Sequence, residues 1–219
     1  IIALLISVGL NSIKALQKAY QTIFFLPYLT NALAIGAVFA TMFSIISPTG
    51  TAEGAYSLGL INKILGTSIN WTSISPENIW ANRFVVIIYE IWAGLPFKIL
   101  ILFGALQNVN KQYYDAAKVD GANRFTTLMK ITVPLISPML SYLIITGFIG
   151  GFKAYTAVVG IYGAEKVSNS YINTMVGYIY DQIGNDSTGL AAAGALILFG
   201  IILVFTLINL AVSKKKVHY

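Results

Sequence analysis

Four apolar stretches, at about residues 24–46, 84–106, 135–159 and 190–212, set the terms on which this chain can fold. Each is long enough to cross a bilayer as a helix, which takes about 20 residues at a rise of about 1.5 Å each. A fifth run, Ile1 to Leu10, opens the chain without the basic start or small-residue cleavage site of a signal peptide. It is expected to be a spanning helix cut short, with one or more helices upstream. Backbone in lipid must satisfy its own polar groups, which leaves helices as the economical solution for runs of this length. The expected fold is therefore all-α, a polytopic transmembrane bundle of about five helices forming one domain over residues 1–219. Composition agrees, since 57% of residues are hydrophobic and only 10% charged. A soluble domain carries about 25% charged residues. Pro27, Pro96, Pro134 and Pro138 fall in or beside these runs. Membrane helices tolerate proline because neighbours satisfy the freed carbonyl, and Pro134 and Pro138 suit a first helical turn.

The net charge of +6 raises the question of nucleic acid, but the basic residues are dispersed among apolar runs. Their placement is a topology signal instead. Lys14, Lys18, Lys111, Lys118, Arg124, Lys130, Lys214, Lys215 and Lys216 fall on one side of a five-span arrangement, and only Lys63, Arg83 and Lys166 on the other. That bias puts the middle loop, 107–133, and the C-terminus in the cytoplasm. Loops 47–82 and 160–189 then lie outside. In the first, Leu58, Ile61, Ile64 and Leu65 recur at helical spacing, which predicts a short surface helix, and Trp71 and Trp80 suit an interfacial aromatic belt. The second reads as a polar loop with Gly163, Gly184, Asp186 and Gly189.

Several chemistries are excluded. The chain has no cysteine, and its one histidine, His218, sits in the tail beside a lysine run. A transition-metal site is not expected. No Gly-Lys dipeptide occurs, so there is no Walker-type phosphate loop. No nucleophile–base–acid set is visible, and the chain is expected to be neither an enzyme nor a holder of a cofactor. Glu90, Lys98 and Lys153 fall inside predicted spans, where charge is costly and faces a cavity, a partner or the interface. Trp92, Phe152 and Tyr155 offer flat aromatic surface in or beside the spans, with plain helix packing as the competing reading. Gly147, Gly150 and Gly151, and the run 191–194 of Ala-Ala-Ala-Gly, suit close helix contacts.

The middle loop carries the strongest pattern. It reads Tyr113-Tyr114-Asp115-Ala116-Ala117-Lys118-Val119-Asp120-Gly121-Ala122-Asn123-Arg124-Phe125 and continues to Lys130-Ile131-Thr132-Val133-Pro134. Residues 110–119 favour a helix, Asp120-Gly121 a left-handed helix end, and Asn123 the cap of a second helix that stops before Pro134. Ala116 and Ala117 give a small face that another protein can approach closely.

This loop resembles the EAA loop of binding-protein-dependent ABC importer permeases. That pattern is Glu-Ala-Ala, three residues, Gly, nine residues, Ile-x-Leu-Pro. Here it is Asp115-Ala116-Ala117, three residues, Gly121, nine residues, Ile131-x-Val133-Pro134, with Asp for Glu and Val for Leu. Asp120-Gly121-Ala122 extends the match. Phe24-Phe25-Leu26-Pro27, Gly59-Leu60-Ile61-Asn62 and Ala105-Leu106-Gln107-Asn108-Val109 are similar to the carbohydrate branch of that family, the maltose and glycerol-phosphate type. The resemblance implies a multi-pass subunit in a prokaryotic plasma membrane. It implies a second, different permease subunit, two ATPase subunits that bind the ATP, and an extracytoplasmic solute-binding protein. Residues 115–121 would seat in the ATPase, with Ala122, Ile131 and Pro134 completing the loop, while Glu90, Trp92, Phe152 and Tyr155 are the candidates for the solute pathway. A permease of the same type for a non-sugar solute, and an ion-coupled secondary transporter, stay open as alternatives.

Overall fold

In the computed structural model, residues 1–13, 17–46, 57–168 and 170–216 are described. Lys14, His218 and positions 47–56 lie outside them, as do the side chains of Lys18 and Lys214 to Lys216. The helices follow the apolar runs, with departures that have local causes. α1 covers Ile2–Ser12. The run at 24–46 is two helices, α2 (Gln17–Leu29) and α3 (Ala32–Phe43), because Asn31 caps a new helix by accepting from Leu33 N at 2.9 Å and Ala34 N at 3.3 Å. Pro27 is accommodated inside α2. The run at 84–106 lengthens to α5, Ile79–Gln107, with Pro96 inside it, and the run at 190–212 to α13, Thr188–Lys216.

The run at 135–159 is not one span. α9 (Ser137–Phe152) ends before Lys153, and a separate α10 (Thr156–Tyr162) follows. Lys153 is therefore an exposed residue at a helix break rather than a charge inside a span. Residues 124–135 form a further helical stretch that meets α9 at a bend of 71°. By length and composition two helices cross a membrane unaided, residues 76–107 and 188–213, and up to four spans result if each broken pair counts as one.

The segment 160–189 is more ordered than its polarity predicts. It continues from α10 into α11 (Ala164–Val167) and α12 (Met175–Gly184), the latter capped by Thr174 Oγ1 accepting from Gly177 N at 3.1 Å. The short helix expected in the segment 47–82 is α4, Leu60–Leu65. Leu58 falls outside it, in a two-residue antiparallel ladder that pairs Ile45 with Leu58 and Ile46 with Ser57.

The chain divides into two compact units, residues 1–29, 94–151 and 199–219, and residues 30–93 and 152–198. In the first unit, Leu10, Ile99, Leu102, Phe103, Leu106 and Ile136 form the buried cluster. Ser7 is fully buried there, and its hydroxyl serves Ala3 O at 2.7 Å and Ile99 O at 3.1 Å, so α1 is tied to α5 by a polar as well as an apolar contact.

The second unit is built on the packing of α3 against α10. A Cβ placed on Gly36 would fall 2.6 Å from the backbone carbonyl carbon of Gly160, so the two backbones touch. Lipid offers no hydrophobic drive for helix pairing, and close backbone approach supplies dispersion contact in its place. Phe39, Phe43, Val85, Tyr89, Val158 and Ile161 fill the surrounding core. The paired glycines 147, 150 and 151 do not take this role, since a Cβ on any of them meets nothing within 4 Å. The small run 191–194 does, with Ala191 buried and a Cβ on Gly194 reaching Ile179 of α12 at 3.3 Å.

Two fully buried asparagines hold the segment between α4 and α5. Asn62 donates to Ile69 O at 2.9 Å and accepts from Thr67 Oγ1 at 3.0 Å and Trp71 Nε1 at 2.9 Å. Asn82 donates to Trp71 O at 2.6 Å and Ser73 O at 3.1 Å, while the Tyr171 hydroxyl donates to its Oδ1 and that of Tyr162 to its carbonyl. Trp71 is thus a pinned core residue instead of a belt residue. Trp80 is 80% exposed with Arg83 over its ring, as an interfacial tryptophan would be. Asn82→Leu is expected to lower the stability of the solubilised protein by about 3 kcal/mol, because two carbonyls and a tyrosine lose their partner in a dry interior. The thermal unfolding midpoint in detergent measures it.

Candidate functional site

The loop that carries the sequence pattern folds as a closed, internally bonded elbow within the first unit. Asn110 starts α6 (Lys111–Val119), its side chain accepting from Gln112 N at 3.0 Å. α6 then ends in a Schellman motif. Ala122 N donates to Ala117 O at 2.9 Å, and Gly121 N donates to Lys118 O at 3.1 Å. The geometry requires a left-handed residue between them, and Gly121 supplies it with φ of +70°. Asn123 caps the next helix by accepting from Thr126 N at 2.7 Å.

That next helix does not stop before Pro134. α7 (Arg124–Thr127) passes through a π turn at Leu128–Thr132 into α8 (Val133–Leu135). Proline has no N–H and clashes with the carbonyl four residues back. Widening the turn relieves the clash, and Val133 N then bonds to Leu128 O, five residues back. Such bulges are a recurrent answer to a residue that the α-ladder cannot hold. The Tyr114 hydroxyl meets Thr132 Oγ1 at 3.3 Å, linking α6 to the π turn. Ile131 and Pro134 are half-buried on this second arm.

The exposed face differs from the expected alanine face. Ala117 is 4% exposed and packs inward, while Ala116, Asp120 and Gly121 are exposed and Ala122 is half-buried. The apolar groups that project furthest are Val119 at 88% and Phe125 at 68%, flanking the glycine turn. Sequence reading passed over both. The signal was there, two large apolar residues on either side of Asp-Gly. Asp115 pairs with Lys118 at 3.1 Å, but both are well exposed. A surface pair of this kind contributes roughly 0.5 kcal/mol, so the elbow is held by its caps and turn and hardly by this contact.

The candidate pathway residues all fall in the second unit. Glu90 is half-buried on α5. The Trp92 ring lies 5.5 Å from Phe39 and is 37% exposed. Phe152 is half-buried at the end of α9. Tyr155 stacks on Tyr180 of α12 at 4.8 Å, and Tyr180 is 56% exposed. Tyr180 is a second residue that the sequence did not single out, since only the fold of 175–184 brings it to Tyr155. Among the described residues no group of three or more His, Asp or Glu forms a metal-binding cluster.

Comparison with known proteins places this geometry in context. A family model described as binding-protein-dependent transport system inner membrane component matches residues 1–218. The arabinooligosaccharides transport system permease protein AraP of Halalkalibacterium halodurans is 31% identical over 211 residues, covering 95% of this chain and 63% of that protein. AraP of Bacillus subtilis is 28% identical over 214 residues, covering 97% of this chain and 65% of that protein. The chain thus spans less than two thirds of the length of either. In structure it is similar to a chain of a bacterial ABC transporter involved in the import of the acidic polysaccharide alginate. The TM-score is 0.78 at 21% identity, over 97% of this chain and 71% of that one, a likeness of fold.

Proposed function

The chain belongs to the binding-protein-dependent transport system inner membrane component family, and on that premise we propose that it forms part of the translocation pathway of an ABC importer for a sugar or oligosaccharide and is driven by a separate ATPase through residues 115–122. The observation that carries the reading is the elbow itself. It is closed by its own backbone bonds at Gly121 and capped at both helix starts, and it projects Val119 and Phe125. A transmitting element must move as one piece and offer apolar anchors to a partner, and the elbow's internal bonds and its exposed Val119 and Phe125 support that role. ATP would then act by binding two states of the assembly with different affinity. In this reading the elbow and C-terminus are cytoplasmic, as the basic residues favour. The ATP site, a second permease subunit and a solute-binding protein lie in other chains.

A sugar is favoured by the relatives whose names record arabinooligosaccharide transport. The Tyr155–Tyr180 stack is the shelf for a sugar ring in this reading, with Trp92, Phe152 and Glu90 as further pathway candidates. An ion-coupled mechanism would rest on intramembrane carboxylates, and Glu90 is the one acidic residue in α5 and α13 together. The test is co-purification. Deleting residues 115–121 is expected to leave the chain in the membrane while the ATPase no longer co-purifies. An ATPase that stays bound to the deleted chain would overturn the coupling role.

A further inference from the structure

A cleft of about 1050 Å³ opens in the first unit behind the elbow. Val8 near the end of α1, Leu106 at the end of α5, Val109 and Leu128 supply an apolar floor, which shares the cleft with polar groups such as Tyr114 and Thr132. Its rim carries Lys111, Lys118 and Arg124, with Asp115 as the single acidic residue. Asp115 and Lys118 form the only ion pair among the described residues, so Lys111 and Arg124 set the charge of the rim. The volume is at the upper end of ordinary small-molecule pockets, roughly 300–1,000 Å³.

The two halves of this cleft call for one amphipathic ligand. In the orientation proposed above, the ends of α1 and α5 bring apolar residues to the cleft, and Lys111 and Arg124 bring positive charge to its rim. We propose that the cleft binds an anionic phospholipid of the cytoplasmic leaflet, with its phosphate against Lys111 and Arg124 and its first acyl carbons on Val8, Leu106 and Leu128. Basic pockets between membrane helices on the cytoplasmic side recognise such headgroups, and a guanidinium presents two parallel donors to phosphate. A soluble anion would use the rim but gain nothing from the floor, so the apolar half decides for the lipid. Because α6 and the π turn line the same cleft, lipid occupancy stiffens the elbow from behind. The inference rests on the orientation proposed above, which puts the cleft in the cytoplasmic leaflet.

Native mass spectrometry of the solubilised full-length permease with its partner subunits tests this. Phosphatidylglycerol, phosphatidylcholine and inorganic phosphate are the probes. Phosphatidylglycerol is expected to bind about tenfold more tightly than phosphatidylcholine, a preference of the size expected from one or two interfacial cations. The K111Q/R124Q variant is expected to lose the preference, and K111R/R124K to keep it. All four substitutions are at exposed positions, so the variants fold. Equal binding of the two lipids, or a preference unchanged in K111Q/R124Q, overturns the proposal. So does displacement of phosphatidylglycerol by millimolar phosphate, which would assign the rim to a soluble anion. A complex that keeps its ATPase but shows no lipid preference defeats this inference alone. Loss of the ATPase on residue 115–121 deletion is read separately and concerns only the coupling role.

Discussion

Replacing Gly36 by valine is expected to leave almost no folded protein in the membrane, even though the position lies far along the chain from the elbow. The first carbon of any side chain at Gly36 lands 2.6 Å from the carbonyl carbon and Cα of Gly160. Both are backbone atoms, so no rotamer change makes room, and α3 must move off α10. Overpacking of a tight contact costs about 1–3 kcal/mol where side chains can adjust, and here they cannot. The hydrophobic effect that would hold displaced helices together in water is absent in lipid, and close contact was the main attraction. A loss above about 3 kcal/mol is therefore expected for valine, and a smaller loss for Gly36→Ala. Size-exclusion chromatography of the solubilised protein and its thermal midpoint read the outcome. Gly147→Ala is the matched control, since a Cβ there meets nothing within 4 Å and alanine is the better helix former by about 1 kcal/mol. If Gly36→Val accumulates and melts like the Gly147 variant, the backbone contact between α3 and α10 is not what holds the second unit.

Substituting Gly121 by arginine is expected to give the opposite pattern, with a folded, inserted chain and no transport. A Cβ at Gly121 also meets nothing within 4 Å, so the chain itself has room for it. The internal cost is limited to the left-handed backbone, φ +70°, which a residue with a side chain adopts at roughly 1–3 kcal/mol. The position is exposed at the tip of the elbow between Val119 and Phe125. A long charged side chain there would hold any partner off the two apolar anchors. Uptake and transport-linked ATP hydrolysis are both expected to fall to background, while the thermal midpoint drops by only a few degrees. Gly121→Ala separates the two contributions, because it keeps the backbone strain and adds almost no bulk. Uptake in the arginine variant at the level of the alanine variant would mean that nothing docks at this turn.

The contrast between these glycines shows where sequence reading reaches its limit. Gly121 was legible because its requirement is local. Asp-Gly after a helical stretch and before Asn is a turn signal within a few residues, and both the left-handed φ and the Asn123 cap are where the pattern put them. The helix at 111–119 follows from the same short-range chemistry. Gly36 and Gly160 were not legible, because each is an unremarkable glycine in an apolar run until the fold sets one against the other across 124 positions of sequence. The paired glycines at 150 and 151 drew attention for their spacing and proved to face open space. Asn62 and Asn82 were equally silent, since a buried asparagine and a surface one look alike until their partners are in place.

Apolar run length determined that this chain spans a membrane as helices, and local turn chemistry determined the elbow that carries its proposed function. Both are short-range properties, fixed by residues within a turn or two of one another, so a sequence displays them directly. Tertiary structure alone decided that Ala117 turns inward while Val119 and Phe125 project, and that Tyr180 comes to Tyr155. Each of those outcomes depends on what the neighbouring elements leave room for, and that is a property of packing.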